Sequence, residues 1–329
     1  MAGGKDGDDM AGPYRQYLDS ELTGTRPRKR QKRVKQNEFN WLNQDSKDWE
    51  SGKPLPSRIV VIGEDGLGDE IFYVRFARAL AEQCKGGVTW IPNWKEPDVS
   101  ENDNSRLLPL FQNSFHDCRN LSFRSFRENE IPGNEELIFS KELLKYFRKD
   151  DWTHHSQLPY LSASSAPTEQ LRGRYRKDGK KIVGLAWKSE GGKPGKDASL
   201  KSHPGWENIF AEDIKDRCSF LSLQYGDTQD DLNYARYRYG VEIYQDREVD
   251  IVNDPELAAA QINACDLIIS ISTTAAHLAG ALGKRTLLLL PENPMVHWKF
   301  PGAYPAIENF ENLSLDKAAL RLREIFENT

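Results

Sequence analysis

The sequence predicts an α/β protein with two parallel-sheet domains in tandem, which face each other across a cleft and follow a disordered amino-terminal tail. From Pro56 onward, apolar β-branched runs alternate with helical patterns, which is typical of parallel sheets covered by helices on both faces. The length of 329 residues exceeds that of most single domains and suits two. Composition also changes sharply near Pro56. We therefore place the tail at residues 1–56, the first domain at 57–176 and the second at 177–329.

The tail holds few apolar residues and many charges, a composition that cannot bury a core. Its basic cluster Thr25–Gln36, TRPRKRQKRVKQ, fits a solvated linker, a nuclear address or a patch for nucleic acid or a membrane surface. The formal net charge of −5 gives the whole chain no reason to bind DNA. At most a weak contact with an anionic surface is expected of the cluster.

Cysteine usage and hydropathy predict a cytoplasmic protein, with a nuclear or membrane-peripheral location as the alternatives that the basic cluster leaves open. The four cysteines are scattered, with neither CxxC pairs nor metal-ligand spacing, so we expect them to be reduced and structural. No apolar run reaches the roughly 18 residues of a membrane helix. Met1–Asp9 is rich in glycine and acid, unlike a signal peptide.

The first domain begins with a strand, a tight turn and a helix. Arg58–Gly63, RIVVIG, is a short β-branched run, and apolar residues recur at helical spacing over Asp69–Gln83. Gly86–Pro92 predicts the next strand, and Glu135–Tyr146 predicts a later helix.

The second domain alternates strands and helices more regularly. Its predicted strands are Lys181–Trp187, Cys218–Gln224, Asp266–Ile271 and Arg285–Pro291, and its predicted helices are Pro204–Glu212, Asp254–Ala264, Thr273–Leu282 and Leu315–Glu327. In open parallel sheets, ligands bind beyond the carboxyl ends of the strands.

A glycine-rich turn follows the first strand, in the stretch GEDGLGDE. Gly66 and Gly68 belong to a spacing that also occurs in dinucleotide-binding loops. Here, however, Asp69 and Glu70 open the following helix and would repel a pyrophosphate, which argues against NAD. Both acids also suit a helix start structurally. The alternative interpretation is that Asp69, held in this turn on the acceptor side of the cleft, accepts a proton from a hydroxyl nucleophile.

A second candidate site lies where the strand at Asp266–Ile271 ends. Ser272 or Thr273 can cap the next helix, and amides left uncapped there form an anion site that the helix dipole favours. Thr273 and His277 are four residues apart and share a helix face. His277 is either a packing histidine or a contact to a phosphate or sugar.

The third candidate is the lysine-rich loop Trp187–Trp206. Positive charge there suits a diphosphate, although a solvated loop also explains most of the lysines. Lys201 and Ser202, nearest the next helix, are the preferred pair. The other predicted donor-binding residues in this layer of strand ends are Lys188, Gln224 and Asp254.

Together, a carboxylate in one domain and an anion site in the other suit transfer of a group from a diphosphate-linked donor to a hydroxyl. No DxD motif occurs at a strand end in the folded part, so we expect no metal. Amides, hydroxyls and lysine would then stabilise the charge of the leaving group.

Several segments resemble one known family. DLIISISTTAAHLAGALGKRTLLLLP closely resembles the signature of glycosyltransferase family 9, the ADP-heptose:lipopolysaccharide heptosyltransferases, and of related glycosyltransferase domains fused to tetratricopeptide repeats. GLGDEIFYVRFARAL, KIVGLAWKSEGG and PYLSA resemble other segments of that family in the same order.

The resemblance implies a GT-B fold, with two Rossmann-like domains, and assigns roles to individual residues. Asp69 matches the family's catalytic base, and Lys201 matches the lysine that contacts the donor diphosphate. His277 matches the histidine of the HLAGALG segment. The residues that match the phosphate-binding helix start are Ser272, Thr273, Thr274 and Ala275.

We therefore expect a metal-independent, inverting glycosyltransferase of hexosyl or heptosyl type, with a nucleoside diphosphate sugar as donor and no cofactor. The acceptor is a hydroxyl of a glycan, a lipid-linked molecule or a protein. Two alternatives remain open: a non-catalytic module that binds sugar nucleotides or glycans, and a nucleotide-sugar epimerase of the same fold.

Overall fold

The computed structural model describes residues 55–63, 66–92, 106–125, 136–140, 143, 147, 159–189, 197–295, 298 and 303–328. The chain divides into two compact units, residues 1–55 with 127–136, and residues 56–126 with 137–329. Nearly all described residues belong to the second unit. The predicted tail, with its basic cluster at residues 25–36, lies outside the described residues except for its last two positions.

A four-stranded sheet is formed by the first part of the second unit, in the order β3-β2-β1-β4. β2 pairs in parallel with both β1 and β3. Four of the five residues of β1 are buried, as expected of a β-branched run inside a sheet. The strands are β1 Arg58–Ile62, β2 Gly87–Ile91, β3 Leu121–Phe123 and β4 Glu136–Phe139.

The following part of the chain forms a six-stranded sheet in the order β10-β9-β8-β5-β6-β7, and all its pairs are parallel. Every residue of β8 is buried, because helices cover both faces. The predicted α/β class with two parallel sheets is confirmed. The strands are β5 Lys181–Ala186, β6 Cys218–Ser222, β7 Ile243–Tyr244, β8 Leu267–Ile271, β9 Thr286–Leu289 and β10 Ile307–Phe310.

Helices follow most strands, and those that matter for function begin where strands end. The helix predicted at Asp69–Gln83 is present, although a 3-10 turn at Val74–Phe76 divides it. The helices are α1 Leu67–Tyr73, α2 Ala77–Gln83, α3 Leu108–Ser114, α4 Ser165–Tyr175, α5 Trp206–Ile209, α6 Glu212–Lys215, α7 Gln229–Tyr239, α8 Pro255–Ala264, α9 Thr274–Ala281 and α10 Leu315–Glu327.

Two predicted elements differ from the structure. The prediction of a helix at Glu135–Tyr146 was wrong for its first part. Strand β4 lies there beside β1, and Ile138 is buried. A run of four apolar-rich residues is long enough for a strand and too short to reveal a helical period. The helix predicted at Pro204–Glu212 is shorter and starts later, because Gly205 has a left-handed φ of 99° immediately before α5.

Buried apolar side chains cover both sheets. On the larger sheet, α10 supplies a strongly apolar face that packs with Trp206 and Phe210 over the strands. The described residues contain no helix with the length and apolar character needed to cross a membrane.

Candidate functional site

The starts of α1 and α9 meet, and a glycine makes their contact possible. A Cβ atom added to Gly68 would lie 2.7 Å from His277 Cδ2, a separation that real side chains do not reach. Only glycine allows the first turn of α1 to approach His277 this closely. The structure therefore brings together two of the predicted sites, the glycine-rich turn that carries Asp69 and the start of α9.

Asp69 is the third residue of α1. One of its carboxylate oxygens accepts a hydrogen bond of 3.2 Å from the backbone amide of Gly66, the residue before the helix. This contact is the carboxylate half of a capping box, and it fixes the side chain in the turn. Asp69 is partly exposed, so its carboxylate is both oriented and accessible, as a general base must be.

The first turn of α9 contains no acidic residue. Thr273 stands at its N-cap with extended backbone, but the Thr273 side chain caps none of the helix amides. Instead the Thr273 hydroxyl lies 3.3 Å from that of Ser270. Ser272 accepts a hydrogen bond of 2.6 Å from the Trp298 indole. The amides of Thr273, Thr274 and Ala275 thus stand at a helix start that its own cap side chain does not neutralise.

His277 is buried in an aromatic cluster one turn into α9. Its Nδ1 atom lies 2.9 Å from the Tyr304 hydroxyl, and its ring centroid lies 4.3 Å from that of Trp298. Packing against these rings explains much of the position of His277, in agreement with its interpretation as a packing histidine. Its Cδ2–Nε2 edge nevertheless faces Gly68, because a Cβ added to that glycine would lie 2.7 Å from Cδ2 and 3.4 Å from Nε2.

Tyr304 and Trp298 were not predicted. Both lie beyond the last predicted strand of the second domain, in a stretch without a periodic pattern. Gly280 on α9 makes room for Tyr304, since a Cβ added to it would lie 2.3 Å from the tyrosine ring. At Gly280, the small size of the residue on α9 therefore makes room for an aromatic ring of this chain.

The two predicted lysines converge on one carboxylate, that of Asp231 in α7. Lys188 Nζ lies 2.8 Å from it and Lys201 Nζ lies 3.8 Å from it. The Trp187 indole also donates to Asp231 at 3.1 Å. Asp231 is buried and Lys188 is partly exposed, whereas Lys201 is exposed and lies nearer to Asp230, at 3.6 Å. Sequence reasoning missed Asp231 because α7 is a largely polar helix that shows no clear apolar stripe.

The other predicted donor-binding residues have structural partners. The Gln224 side chain accepts from the backbone amides of Trp187 and Lys188 and donates to the Lys188 carbonyl. Asp254 caps α8 by accepting from the Leu257 amide at 2.9 Å. Ser202 is exposed beside Lys201.

A cavity of about 490 Å³ opens at the carboxyl ends of β6 and β7 and includes Gln224. Asp246 lines it. Burial opposes the charged form of Asp246, but hydrogen bonds from Tyr175, the Glu248 amide and Arg174 outweigh this and hold the pKa of its carboxyl below the usual value. The described residues contain no cluster of histidine, cysteine or carboxylate side chains that could hold a metal ion.

Comparison with known structures shows what the architecture resembles. The glycosyl transferase family 9 protein of Veillonella parvula aligns with a TM-score of 0.54 and 12% identity over 82% of this chain and 97% of its own. The Escherichia coli ADP-heptose LPS heptosyltransferase II aligns with a TM-score of 0.53 and 11% identity over 83% of this chain and 100% of its own. The chain has the fold of the family 9 glycosyltransferases. This confirms the expected GT-B architecture.

Sequence comparison adds one relative. Protein FlbA of Caulobacter vibrioides is 24% identical over an alignment of 265 residues, and the alignment covers 73% of this chain. The chain spans only 40% of the length of that relative. No family model matches the sequence.

Within the family 9 fold, the predicted site residues fall into two groups. Gly66, Gly68 and Asp69 meet the start of α9 directly at His277. Lys188 and Lys201 gather at Asp231, at the same carboxyl-end edge of the six-stranded sheet from which α9 departs. Two lysines and a helix start without an acid in its first turn thus lie at this edge, and α1 brings a carboxylate to it.

Proposed function

We propose that the protein is a metal-independent, inverting glycosyltransferase, which moves a sugar from a nucleoside diphosphate donor to a hydroxyl of a glycan, lipid-linked or protein acceptor. The observation that supports this most is the meeting of two helix starts at Gly68 and His277. One carries the oriented carboxylate of Asp69, and the other has no acid in its first turn. A general base beside an anion site suits transfer from a diphosphate to a hydroxyl.

The donor diphosphate binds, in this proposal, at the start of α9. The backbone amides of Thr273, Thr274 and Ala275 can donate to its oxygens, and the helix dipole favours its negative charge. Lys188 and Lys201 add positive charge from the end of β5. Because both already contact Asp231, the diphosphate shares or replaces this carboxylate as their partner.

The acceptor hydroxyl approaches from the side of α1. Its oxygen bonds to the anomeric carbon of the sugar while the bond from that carbon to the phosphate oxygen breaks. The hydroxyl proton passes to the carboxylate of Asp69, and the electron pair leaves with the nucleoside diphosphate. A single displacement of this kind inverts the anomeric configuration. The amides of α9 and the two lysines stabilise the charge that develops on the leaving group.

A second candidate is a non-catalytic module that binds sugar nucleotides or glycans. The hydrogen bond from the Gly66 amide to Asp69 favours it, because helix capping alone explains an acidic residue at this position. In that case the anion site of α9 remains functional and Asp69 is structural.

A thermal-shift screen against ADP-, GDP-, UDP- and CMP-linked sugars tests the proposal. A ligand of the folded state at a hundred times its Kd adds about 2.7 kcal/mol to the free energy of unfolding and so raises the Tm. The donor that binds is then incubated with a broad acceptor panel, and product is detected by mass spectrometry. Binding followed by transfer supports the proposal, and binding without transfer or hydrolysis supports the module. Product from the donor alone indicates an epimerase, and no binding of any donor contradicts a donor site.

A further inference from the structure

A buried carboxylate in α7 holds a lysine that follows the end of β5. The Lys188 ammonium lies 2.8 Å from Oδ2 of Asp231 and donates to the Asp227 carbonyl at 3.0 Å. Asp231 also accepts at 3.1 Å from the Trp187 indole. An ammonium and an indole N–H can only donate, whereas an ionised carboxylate and a carbonyl can only accept. The direction of all three contacts is therefore fixed.

The backbone of Lys188 is held as well as its side chain. The buried Gln224 accepts at 3.0 Å from the amides of both Trp187 and Lys188, and its own amide group donates to the Lys188 carbonyl at 2.6 Å. A lysine side chain ordinarily keeps its rotamer freedom, because ordering it costs conformational entropy. Lys188 is instead oriented at both ends.

Lys201, the lysine that matches the family 9 pattern, is held less firmly. Its ammonium lies 3.6 Å from Asp230 and 3.8 Å from Asp231, and both distances are longer than those of a hydrogen bond. The two lysine side chains are nevertheless similar in exposure, 33% for Lys188 and 42% for Lys201. The difference between them therefore lies in their contacts and not in their access to solvent.

Packing alone does not require a charged pair at positions 188 and 231. Asparagine at position 231 would also accept from the Trp187 indole, and a neutral residue at position 188 would need no ionic partner. Removing a charged pair from water costs free energy that a neutral pair of similar volume does not cost. The contacts among the described residues use two of the three N–H groups of Lys188. One hydrogen of an oriented ammonium is thus left for a ligand.

The register of the sheet places Lys188 beside the start of α9. Ala186 of β5 pairs with Ser270 of the neighbouring strand β8. Lys188 and Ser272 each come two residues later, so they lie level with each other at the carboxyl-end edge, where adjacent strands are about 4.8 Å apart. An anion at the start of α9 would therefore have Lys188 as its neighbour on the next strand.

We propose that Asp231 is a positioning residue, which holds the Lys188 ammonium at this edge so that its remaining N–H binds the diphosphate of the donor. The inference rests on the proposed function, because it names the oriented cation at the donor site. No bond is made or broken at Lys188 or Asp231. The lysine supplies a fixed positive charge, which stabilises the leaving group as the bond to the anomeric carbon breaks.

Trace labelling of the full chain with acetic anhydride, followed by peptide mass spectrometry, tests the positioning. Lys188 should react about threefold more slowly than Lys201, because its nitrogen must first leave two acceptors. Asp231→Asn keeps the volume and the acceptor for Trp187, and should bring the labelling of Lys188 to within about twofold of that of Lys201. Asp230→Asn, the matched control one residue away, should leave the labelling of Lys188 unchanged.

Two labelling results would overturn the positioning role. One is equal labelling of Lys188 and Lys201 in the unaltered protein, a result that needs no variant to fold. The other is an unchanged rate for Lys188 in a folded Asp231→Asn protein.

Inorganic pyrophosphate probes the anion contact without a nucleotide sugar. In the unaltered protein it should lower the labelling of Lys188 by about a further threefold, because a bound anion occupies the remaining N–H. Lys180 precedes β5 at the opposite edge of the sheet, and its labelling should not change. Labelling of Lys188 that pyrophosphate leaves unchanged would overturn the diphosphate contact.

Once the thermal-shift screen has identified a donor, kinetics separate positioning from packing. Asp231→Asn should lower kcat by about tenfold and change KM by less than about threefold, because charge on the leaving group grows as the bond breaks. Lys188→Met should lower kcat at least as much. In the Lys188→Met background, Asp231→Asn should add no further loss, since a positioning residue acts through the group that it holds. Losses that multiply would overturn the positioning role.

The labelling measurements need no nucleotide sugar, so their failure is distinct from failure of the proposed function. Protection of Lys188 by pyrophosphate without transfer to any acceptor would keep the anion contact and reject the glycosyltransferase. Transfer without such protection would keep the glycosyltransferase and reject the role of Lys188.

Discussion

The starts of α1 and α9 touch each other and yet have opposite chemistry. The first turn of α1 contains two acids, Asp69 and Glu70, so its dipole is already matched by its own side chains. The first turn of α9 contains none, and its cap side chain turns away from the helix amides. A helix start that supplies its own negative charge stabilises the chain, whereas one that does not is suited to an external anion.

The contacts that orient Asp69 on α1 and His277 on α9 also differ. Asp69 accepts a local hydrogen bond from the Gly66 amide, within its own turn. His277, one turn into α9, is fixed by Tyr304 and Trp298, which are distant from it in sequence. Asp69 is thus oriented by a contact within its own turn, whereas His277 is oriented by contacts with residues more than twenty positions away. Altering one side at a time should show whether each helix start performs the role proposed for it.

Asp69→Asn should give the largest effect, a loss of about 10²- to 10⁴-fold in the transfer rate, because an amide cannot accept the proton. The asparagine oxygen can still accept from the Gly66 amide. The charge–dipole contribution is lost, about 0.3–1 kcal/mol of unfolding free energy. Single-turnover transfer and urea unfolding measure the two quantities.

Glu70→Gln is the matched control for Asp69→Asn. It alters the neighbouring carboxylate, which is buried against Trp90, and weakens a charge-assisted hydrogen bond of about 1.5–3 kcal/mol. We expect lower stability with transfer retained in the folded fraction. Equal transfer in Asp69→Asn and the unaltered protein would reject Asp69 as the base and leave helix capping as its role.

Thr274→Glu makes the first turn of α9 resemble that of α1. The new acid should stabilise the helix by about 0.3–1 kcal/mol through the dipole. It should also repel a diphosphate and weaken donor binding by about ten- to a hundredfold, since like charges a few ångströms apart cost one to a few kcal/mol. Calorimetric titration with the donor measures the Kd.

Thr274→Gln provides the neutral control, with a similar side-chain size. It should retain donor binding to within a few-fold, because it adds no charge. If Thr274→Glu and Thr274→Gln weaken donor binding equally, the loss comes from the shape of the new side chain and not from its charge. The donor diphosphate then does not bind at the start of α9.

Sequence patterns predicted those features of the site that depend on local contacts. The buried run of β8 and the residues just after it predicted the start of α9, because a strand buried on both faces leaves a clear apolar signature. The turn of Asp69 was predictable for the same reason, since it follows β1 directly.

Features built by long-range contact were not predictable. Tyr304 reaches His277 only because Gly280 leaves space for its ring. Arg75 is buried, although in the sequence it looks like any polar residue of a surface helix. Asp231 lies on α7, whose buried residues are few, so no apolar period marked the helix. Each of these residues owes its role to the approach of segments that lie far apart in the chain, which no local pattern records.

Gly68→Ala tests the contact between the two helix starts, because it changes the free energy of unfolding in two opposite ways. Alanine inside a helix is favoured over glycine by about 1 kcal/mol. The added methyl group would, however, stand 2.7 Å from His277 Cδ2, and overpacking of this kind costs about 1–3 kcal/mol. His277 cannot yield easily, because Tyr304 and Trp298 hold its ring. We expect a net loss of stability of about 1 kcal/mol, measured by urea unfolding.

The double variant Gly68→Ala/His277→Ala isolates the contact. With the imidazole removed, the methyl group has room, so alanine at position 68 should then stabilise the chain through helix propensity. Gly66→Ala is the matched control, because its Cβ would meet only the Asp69 carboxylate at an ordinary 3.4 Å. A stabilising Gly68→Ala in the presence of His277 would mean that the helix starts do not touch in solution. The carboxylate of α1 and the proposed anion site of α9 would then have to be brought together by the substrates.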